Sequence, residues 1–413
     1  MYLTPDQKAK GRACFLRVAG GGADPVTIKE RLSAPHSDLG VPLRTGVVGV
    51  GSQGSTLLGH CLALRDVIQV EAICDVNPGH RAQAAQLVAE AKRTPARQYE
   101  DWQEMAAKER LEAVIVATPL WTHADITVGF LDAGVPVLCE KMMAYDIPSC
   151  QRMVDASLRN RRLLEIGYPR FYEPLYQSVY KNIIQAQLLG DIHFVRLHTH
   201  RNNSWRRAET SPSPGFNPQR WGYGTWDELA NWRLYKRYSQ GLVGELGSHQ
   251  TSLAEWYLGS TAQSVFGTGG IFYYKDGREV NDHIYMTYSH PGGCTVELSV
   301  ILTNAYGGLY EELSGSRGTL IVSDIDGGML FLNDEDSKMK EESYPFTLPP
   351  WSPDWNLAFR NEIATFCSAI RRGTPLLCGA QRALASARSA LAGNDAVAFG
   401  EPVQIAASPS ESG

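Results

Sequence analysis

The chain has 413 residues, more than one ordinary core absorbs, and divides most simply into two domains. Its 43% hydrophobic and 20% charged residues are average for a globular protein and argue against disorder. With 39 Lys+Arg against 44 Asp+Glu, the net charge of −5 offers no overall basic field for nucleic acid or an anionic membrane. Short basic stretches such as Arg206-Arg207 read as solvated loops or helix ends. No run of about 18 apolar residues suits a spanning helix, and the first residues lack a leader pattern, so a cytoplasmic location is expected. The eight cysteines form no CxxC pair; they read as small buried hydrophobes in a reducing compartment, with no metal site.

Residues 1–42 read as an amino-terminal arm, with a helix over Gln7–Val18 and loop and short helix from Pro25 to Leu43, packed on the body or on a neighbouring subunit. From Thr45 to about Tyr168 short apolar runs alternate with helical patterns. Strands are expected at 45–50, 67–75, 111–117, 135–139 and 162–167, and helices at 54–64, 78–92, 123–133 and 148–160. That alternation implies a doubly wound parallel sheet of the Rossmann type over residues 43–168. Residues 169–405 change texture. A long helix is predicted at 174–189, then strands with alternating apolar and polar residues at 192–200, 263–274, 282–289, 294–302, 310–314 and 319–323. A helix near 241–258 interrupts them, and helices at 355–371 and 382–393 close the chain. The second domain is therefore expected to be α+β, with an open-faced, mainly antiparallel sheet. The tail 406–413 is small and polar and expected to fray.

Gly49-Val50-Gly51-Ser52-Gln53-Gly54 follows a buried strand and opens a helix. In that context GxGxxG is a phosphate loop: the first glycine makes the turn, the second admits the pyrophosphate, and the third lets helix and strand pack. Asp75 ends the next strand, where a carboxylate accepts from an adenosine ribose and repels a 2′-phosphate, so NAD is favoured over NADP. Thr118-Pro119 with His123, and Glu140-Lys141, lie at the carboxyl ends of the following strands, where ligands bind in such sheets.

These motifs, with the strand-rich second half, resemble the Gfo/Idh/MocA family of sugar and polyol oxidoreductases. The resemblance spans about Thr45 to Gly393. It implies that Thr118, Pro119, His123 and Glu140 border the dinucleotide. It also implies that Lys141, matching the lysine of the family's Glu-Lys-Pro motif, sits at nicotinamide and substrate. Here Met142 replaces the proline. A glycine-led helix with an acid and a histidine is a further family feature. It corresponds to Glu245 and His249, with Gln240-Gly241 in place of a glycine pair.

Four residues apart on a helix, Glu245 and His249 would share one face, with Glu245 orienting His249 as general base. Arg170, Tyr172, Trp232 and Arg233 are expected at the substrate, where aromatic faces stack on a sugar and polar groups read its hydroxyls. Arg201, Asn202, Asn203 and Trp205 either reach the same cleft or form a loop or subunit contact. The expected chemistry is hydride transfer between a ring hydroxyl and NAD, with Lys141 stabilising the developing charge. A redox-neutral glycosidase working through transient oxidation, and a non-catalytic dinucleotide sensor, are the alternatives. Partners are expected to be a small sugar or glycoside and further copies of the chain, as a dimer or tetramer.

Overall fold

The computed structural model describes residues 3–19, 40–91, 94–208, 212, 215–325, 327–333 and 353–406. The loop and short helix expected from Pro25 fall mostly outside them, as does the tail after Ala406. The first domain alternates as predicted: β1 (Leu43–Val48), α2 (Ser52–Ala63), β2 (Ile68–Cys74), α3 (Pro78–Glu90), β3 (Arg97–Tyr99), α4 (Trp102–Lys108), β4 (Ala113–Val116), α5 (His123–Asp132), β5 (Val137–Glu140), α6 (Ile147–Asn160) and β6 (Leu164–Gly167); α1 (Pro5–Ala19) precedes it. The sheet is wholly parallel in the order β3-β2-β1-β4-β5-β6. β3 and α4 are additions to the predicted elements; at three residues, β3 is too short to leave a periodic signal. The order reverses beside β1, so the crevice at the strands' carboxyl ends falls between β1 and β4.

The second domain follows α7 (Pro174–Val179), which runs into a π-turn at Tyr180–Ile184 rather than one continuous helix. Its sheet comprises β7 (Ile192–His200), β8 (Ser264–Gly270), β9 (His283–Ser289), β10 (Thr295–Ile301), β11 (Leu309–Gly315), β12 (Gly318–Ser323), β13 (Gly327–Leu332) and, at the edge, β14 (Val403–Gln404); a short α8 (Trp226–Ala230) and the longer α9 (Ser248–Leu258) lie between β7 and β8. The order is β13-β12-β11-β7-β10-β9-β8-β14, antiparallel except for the β7–β10 pair. In β9 every second residue is buried while Tyr285, Thr287 and Ser289 face outward, the period expected of a sheet with one open face.

Two terminal segments tie the domains together. α10 (Trp355–Arg372) leaves the second domain and covers the first sheet. Its Ile363, Phe366 and Cys367 join a core with Val47, Ile73 and Ile115. α11 (Ala380–Phe399) packs between α6 and β8. At the other end α1 lies on β13, with fully buried Phe15 against Gly328. A Cβ on Gly328 would stand 2.5 Å from the Phe15 ring, so this strand needs glycine to admit the helix. All the cysteines are free, and all but Cys14 are buried. No helix among the described residues is long and apolar enough to cross a membrane.

Candidate active site

The carboxyl ends of β1, β2, β4 and β5 open into a cleft of about 860 Å³ that the second domain roofs. Its first half is built from backbone. Gly49 has φ +83°, and a Cβ there would meet the Ala117 carbonyl at 2.7 Å. Gly54 packs so closely that a Cβ would come within 1.8 Å of the Gly49 oxygen. Both glycines are needed by the fold itself. Gly51 differs: a Cβ there would meet only the His80 ring, at an ordinary 3.5 Å. The space above it, at a helix N-terminus with no side-chain cap, is the cradle an anionic diphosphate requires. Ser52 and Gln53 begin that helix on the cleft wall.

Asp75 organises this end. Its carboxylate accepts from Val50 N at 2.8 Å and Asn77 N at 2.8 Å, and His80 Nδ1 lies 3.3 Å away. It therefore anchors the loop. Gln53 Nε2 donates to Glu140 Oε1 at 2.7 Å, and Lys141 N donates to Glu140 Oε2 at 3.1 Å. Glu140 thus straps the phosphate helix to the β5 turn. Burial pushes its carboxyl above the usual range, against the pull of Lys141.

Thr118 and Pro119 line the cleft, tied by the Thr122 hydroxyl, whose oxygen is 2.8 Å from Thr118 Oγ1 and 2.7 Å from the Pro119 carbonyl. His123 requires a correction. Its Nδ1 lies 3.0 Å from the Met142 carbonyl and its Nε2 2.9 Å from the Thr118 carbonyl. Burial lowers its pKa, so the ring is neutral and donates to one of the two. Both nitrogens face backbone, so the residue braces two cleft loops and offers no polar atom to a dinucleotide.

The second half is built from side chains of distant segments. Lys141 Nζ reaches across the cleft to donate to the Glu245 carbonyl at 2.8 Å, and lies 3.6 Å from the Glu245 carboxylate. Arg233 Nε donates to the same carboxylate oxygen at 2.9 Å. Burial raises the Glu245 pKa, but Lys141 and Arg233 more than offset this and hold it below the usual range. The Lys141–Met142 peptide is cis. Arg233 lies over the Trp232 ring, 4.4 Å from its centroid, so that indole face is occupied by a guanidinium rather than left free for a sugar.

Glu245 and His249 lie on one helical run, a π-turn at Val243–Gly247 that leads directly into α9, and both line the cleft. Glu245 gives its carboxylate to Arg233 and Lys141 rather than to His249, so it does not orient the imidazole. His249 packs edge-on against Tyr168, and its Nδ1 is buried without a hydrogen-bond partner. Burial, then the charges of Lys141, Arg170 and Arg201, lower its pKa well below the ordinary histidine value.

Arg170 lines the cleft, yet its Nε donates to buried Glu311 at 3.0 Å, under Trp355 and Tyr176. Tyr172 does not reach the cleft: it is buried, and its hydroxyl donates to Glu165 behind β6. It ends a 3₁₀ turn at Pro169–Tyr172, which sends Arg170 and Tyr172 to different sides. Of the segment from Arg201 to Trp205, Arg201 alone lines the cleft. Arg207 also lines it, whereas its neighbour Arg206 is held by Asp227 and Asp276. Trp121, whose Nε1 donates to the Tyr223 hydroxyl at 3.0 Å, closes one side. The adjacent basic pair left no sequence cue to which arginine faces inward, because irregular backbone has no period.

Residues 43–168 match an oxidoreductase family with NAD-binding Rossmann fold, Gfo/Idh/MocA, and residues 181–405 match the C-terminal alpha/beta domain of the same family. An inositol 2-dehydrogenase of Salmonella paratyphi B is 34% identical over 149 residues, 36% of this chain and only 43% of that protein. An inositol 2-dehydrogenase of Rubrobacter xylanophilus is 24% identical over 335 residues, 80% of this chain and 84% of that protein. The fold is shared with an inositol dehydrogenase homolog from Azotobacter vinelandii complexed with NADH and myo-inositol. There the TM-score is 0.69 at 19% identity, over 90% of this chain and 100% of that one. Sheet order, phosphate loop and both matched segments agree: the chain belongs to the Gfo/Idh/MocA oxidoreductase family.

Proposed function

We propose that the protein is an NAD-dependent dehydrogenase that oxidises one hydroxyl of a polyhydroxylated ring, a cyclic polyol or sugar. The observation that carries this reading is the Lys141 ammonium, presented in the cleft that holds the phosphate loop and secured by Glu245. NAD, when bound, supplies the hydride acceptor. An ammonium has three N–H donors, and the Glu245 carbonyl takes one. Another donates to the reacting oxygen and stabilises its negative charge as the proton leaves. His249, which lines the same cleft, is the proton acceptor in this reading. Glu245 and Arg233 position Lys141 rather than touching the reacting carbon.

The test is absorbance at 340 nm with NAD and a panel of inositols, aldoses and glycosides. At least one ring is expected to give NADH mole for mole with product, and Lys141→Met to lower that rate at least about a hundredfold. NAD binding without reduction by any ring, or an unchanged rate in Lys141→Met, would overturn the reading. Glycoside cleavage without NADH accumulation would replace it with the redox-neutral reaction.

The open face of the second sheet leaves Phe266 and Tyr285 exposed, with Phe272 and Tyr273 beyond the end of β8. We propose that copies of the chain associate through this apolar face. Phe266→Glu is then expected to sediment as a smaller species than the parent, and identical sedimentation would argue against it.

A further inference from the structure

The cations of the cleft fall into two groups. Lys141 and Arg233 share Glu245, Arg170 is paired with Glu311, and Arg220 is paired with Glu100 at 3.1 Å. Arg201, just past the end of β7, and Arg207 line the same cleft, and neither guanidinium pairs with a carboxylate among the described residues. Among the described residues, the hydrogen bond Arg207 makes is through its backbone N, which donates to Asn231 Oδ1. The acid that acts on Arg201 is Asp324, which lies beyond ion-pair reach and accepts from Leu309 N at 3.1 Å.

We infer that the ring bound beside Lys141 carries an anionic group, a carboxylate or phosphate ester, and that Arg201 and Arg207 hold it. The inference rests on the dehydrogenase reading for what the cleft does to that ring. A guanidinium without a carboxylate partner on the lining of a concave site raises the local positive potential, and an arginine fork matches the two oxygens of a carboxylate or phosphate. A neutral polyol would leave these two guanidiniums without an ion-pair partner, although the cleft lining as a whole also carries acids such as Asp324. The crowding registers on the side chains: burial and the Arg170 charge lower the Arg201 pKa, and burial and the Arg233 charge lower that of Arg207. Arg201 also acts on His249, which sets it beside the proposed base rather than at the phosphate loop.

The experiment titrates NAD-loaded protein calorimetrically with D-glucuronate, D-glucose 6-phosphate, D-glucose and myo-inositol. At least one of the two anions is expected to bind about tenfold or more tightly than glucose, a single charge-assisted contact being worth that much. The preference should shrink with added salt and vanish in the Arg201→Gln/Arg207→Gln variant. Which anion wins separates carboxylate from phosphate. Circular dichroism and NAD titration check that the variant is folded, and Arg201→Lys, which keeps the charge but not the fork, should retain part of the preference. Glucose or inositol binding as tightly as both anions, failure of both anions to bind, or a preference that survives the double variant would overturn the inference. Neutral rings reducing NAD without anion preference would defeat this inference alone. Anion binding that never yields NADH would defeat the dehydrogenase reading alone.

Discussion

The two halves of the cleft are built on different plans. The phosphate end is backbone: Gly49 and Gly54 have no room for a Cβ, and Asp75 pins the turn through Val50 N–H. The reacting end is side chains: Lys141 from the first domain meets Glu245 and Arg233 from the second, and His249 waits unpaired beside them. A backbone site is tied to the stability of the domain that forms it. A side-chain site assembled across domains is altered without unfolding either. Substitutions at the two ends should therefore separate binding and folding from chemistry.

The largest effect belongs to Lys141. Lys141→Ala should lower kcat about 10²–10⁴-fold while NAD affinity changes only a few fold, because the group acts on the reacting oxygen. Steady-state rates combined with NAD fluorescence titration check both halves, and a large loss of NAD binding would blur the contrast. Next come the glycines. Gly54→Ala forces a Cβ onto the Gly49 oxygen and should cost about 1–3 kcal/mol of stability together with NAD binding. Gly51→Ala should leave the melting temperature almost unchanged yet weaken NAD, since protein atoms leave it room. Equal losses of stability in both variants would show that the distinction does not hold.

pH probes the buried histidines. His123 and His249 have pKa values below the unfolded value near 6.5. As pH falls through 6.5 the unfolded chain takes up protons that the folded chain refuses, so stability is lost on acidification and present above that pH. Urea denaturation at pH 7.5 and pH 5.5 should show a lower midpoint at the acid pH, and His249→Asn should narrow the gap. If the gap is unchanged in that variant, His249 is not among the groups responsible. The smallest expected effect is at Asp75: Asp75→Ala should weaken NAD about tenfold and reduce its advantage over NADP, read by competitive titration of the two.

The same contrast explains what could be read from the sequence. The phosphate loop, Asp75 and Glu140-Lys141 are local patterns bound to the ends of apolar strands, so their place in the cleft was legible. β13 was missed because Gly327-Gly328 interrupts its strand signal, and Gly328 answers to Phe15 on a helix more than 300 residues earlier. Glu245 and His249 were legible as residues of one helix facing the cleft, but that Glu245 serves Lys141 and Arg233 instead of orienting His249 was not, because those cations come from other segments. His123 and Tyr172 are polar residues next to site residues, and only the tertiary fold reveals that backbone carbonyls and Glu165 already occupy them.

The most direct test of the account follows a ring substrate deuterated at its carbinol carbons through one turnover with NAD and weighs the dinucleotide afterwards. The account predicts NADH heavier by one deuterium, with the ring recovered as a ketone. Unlabelled dinucleotide alongside consumed ring would contradict it.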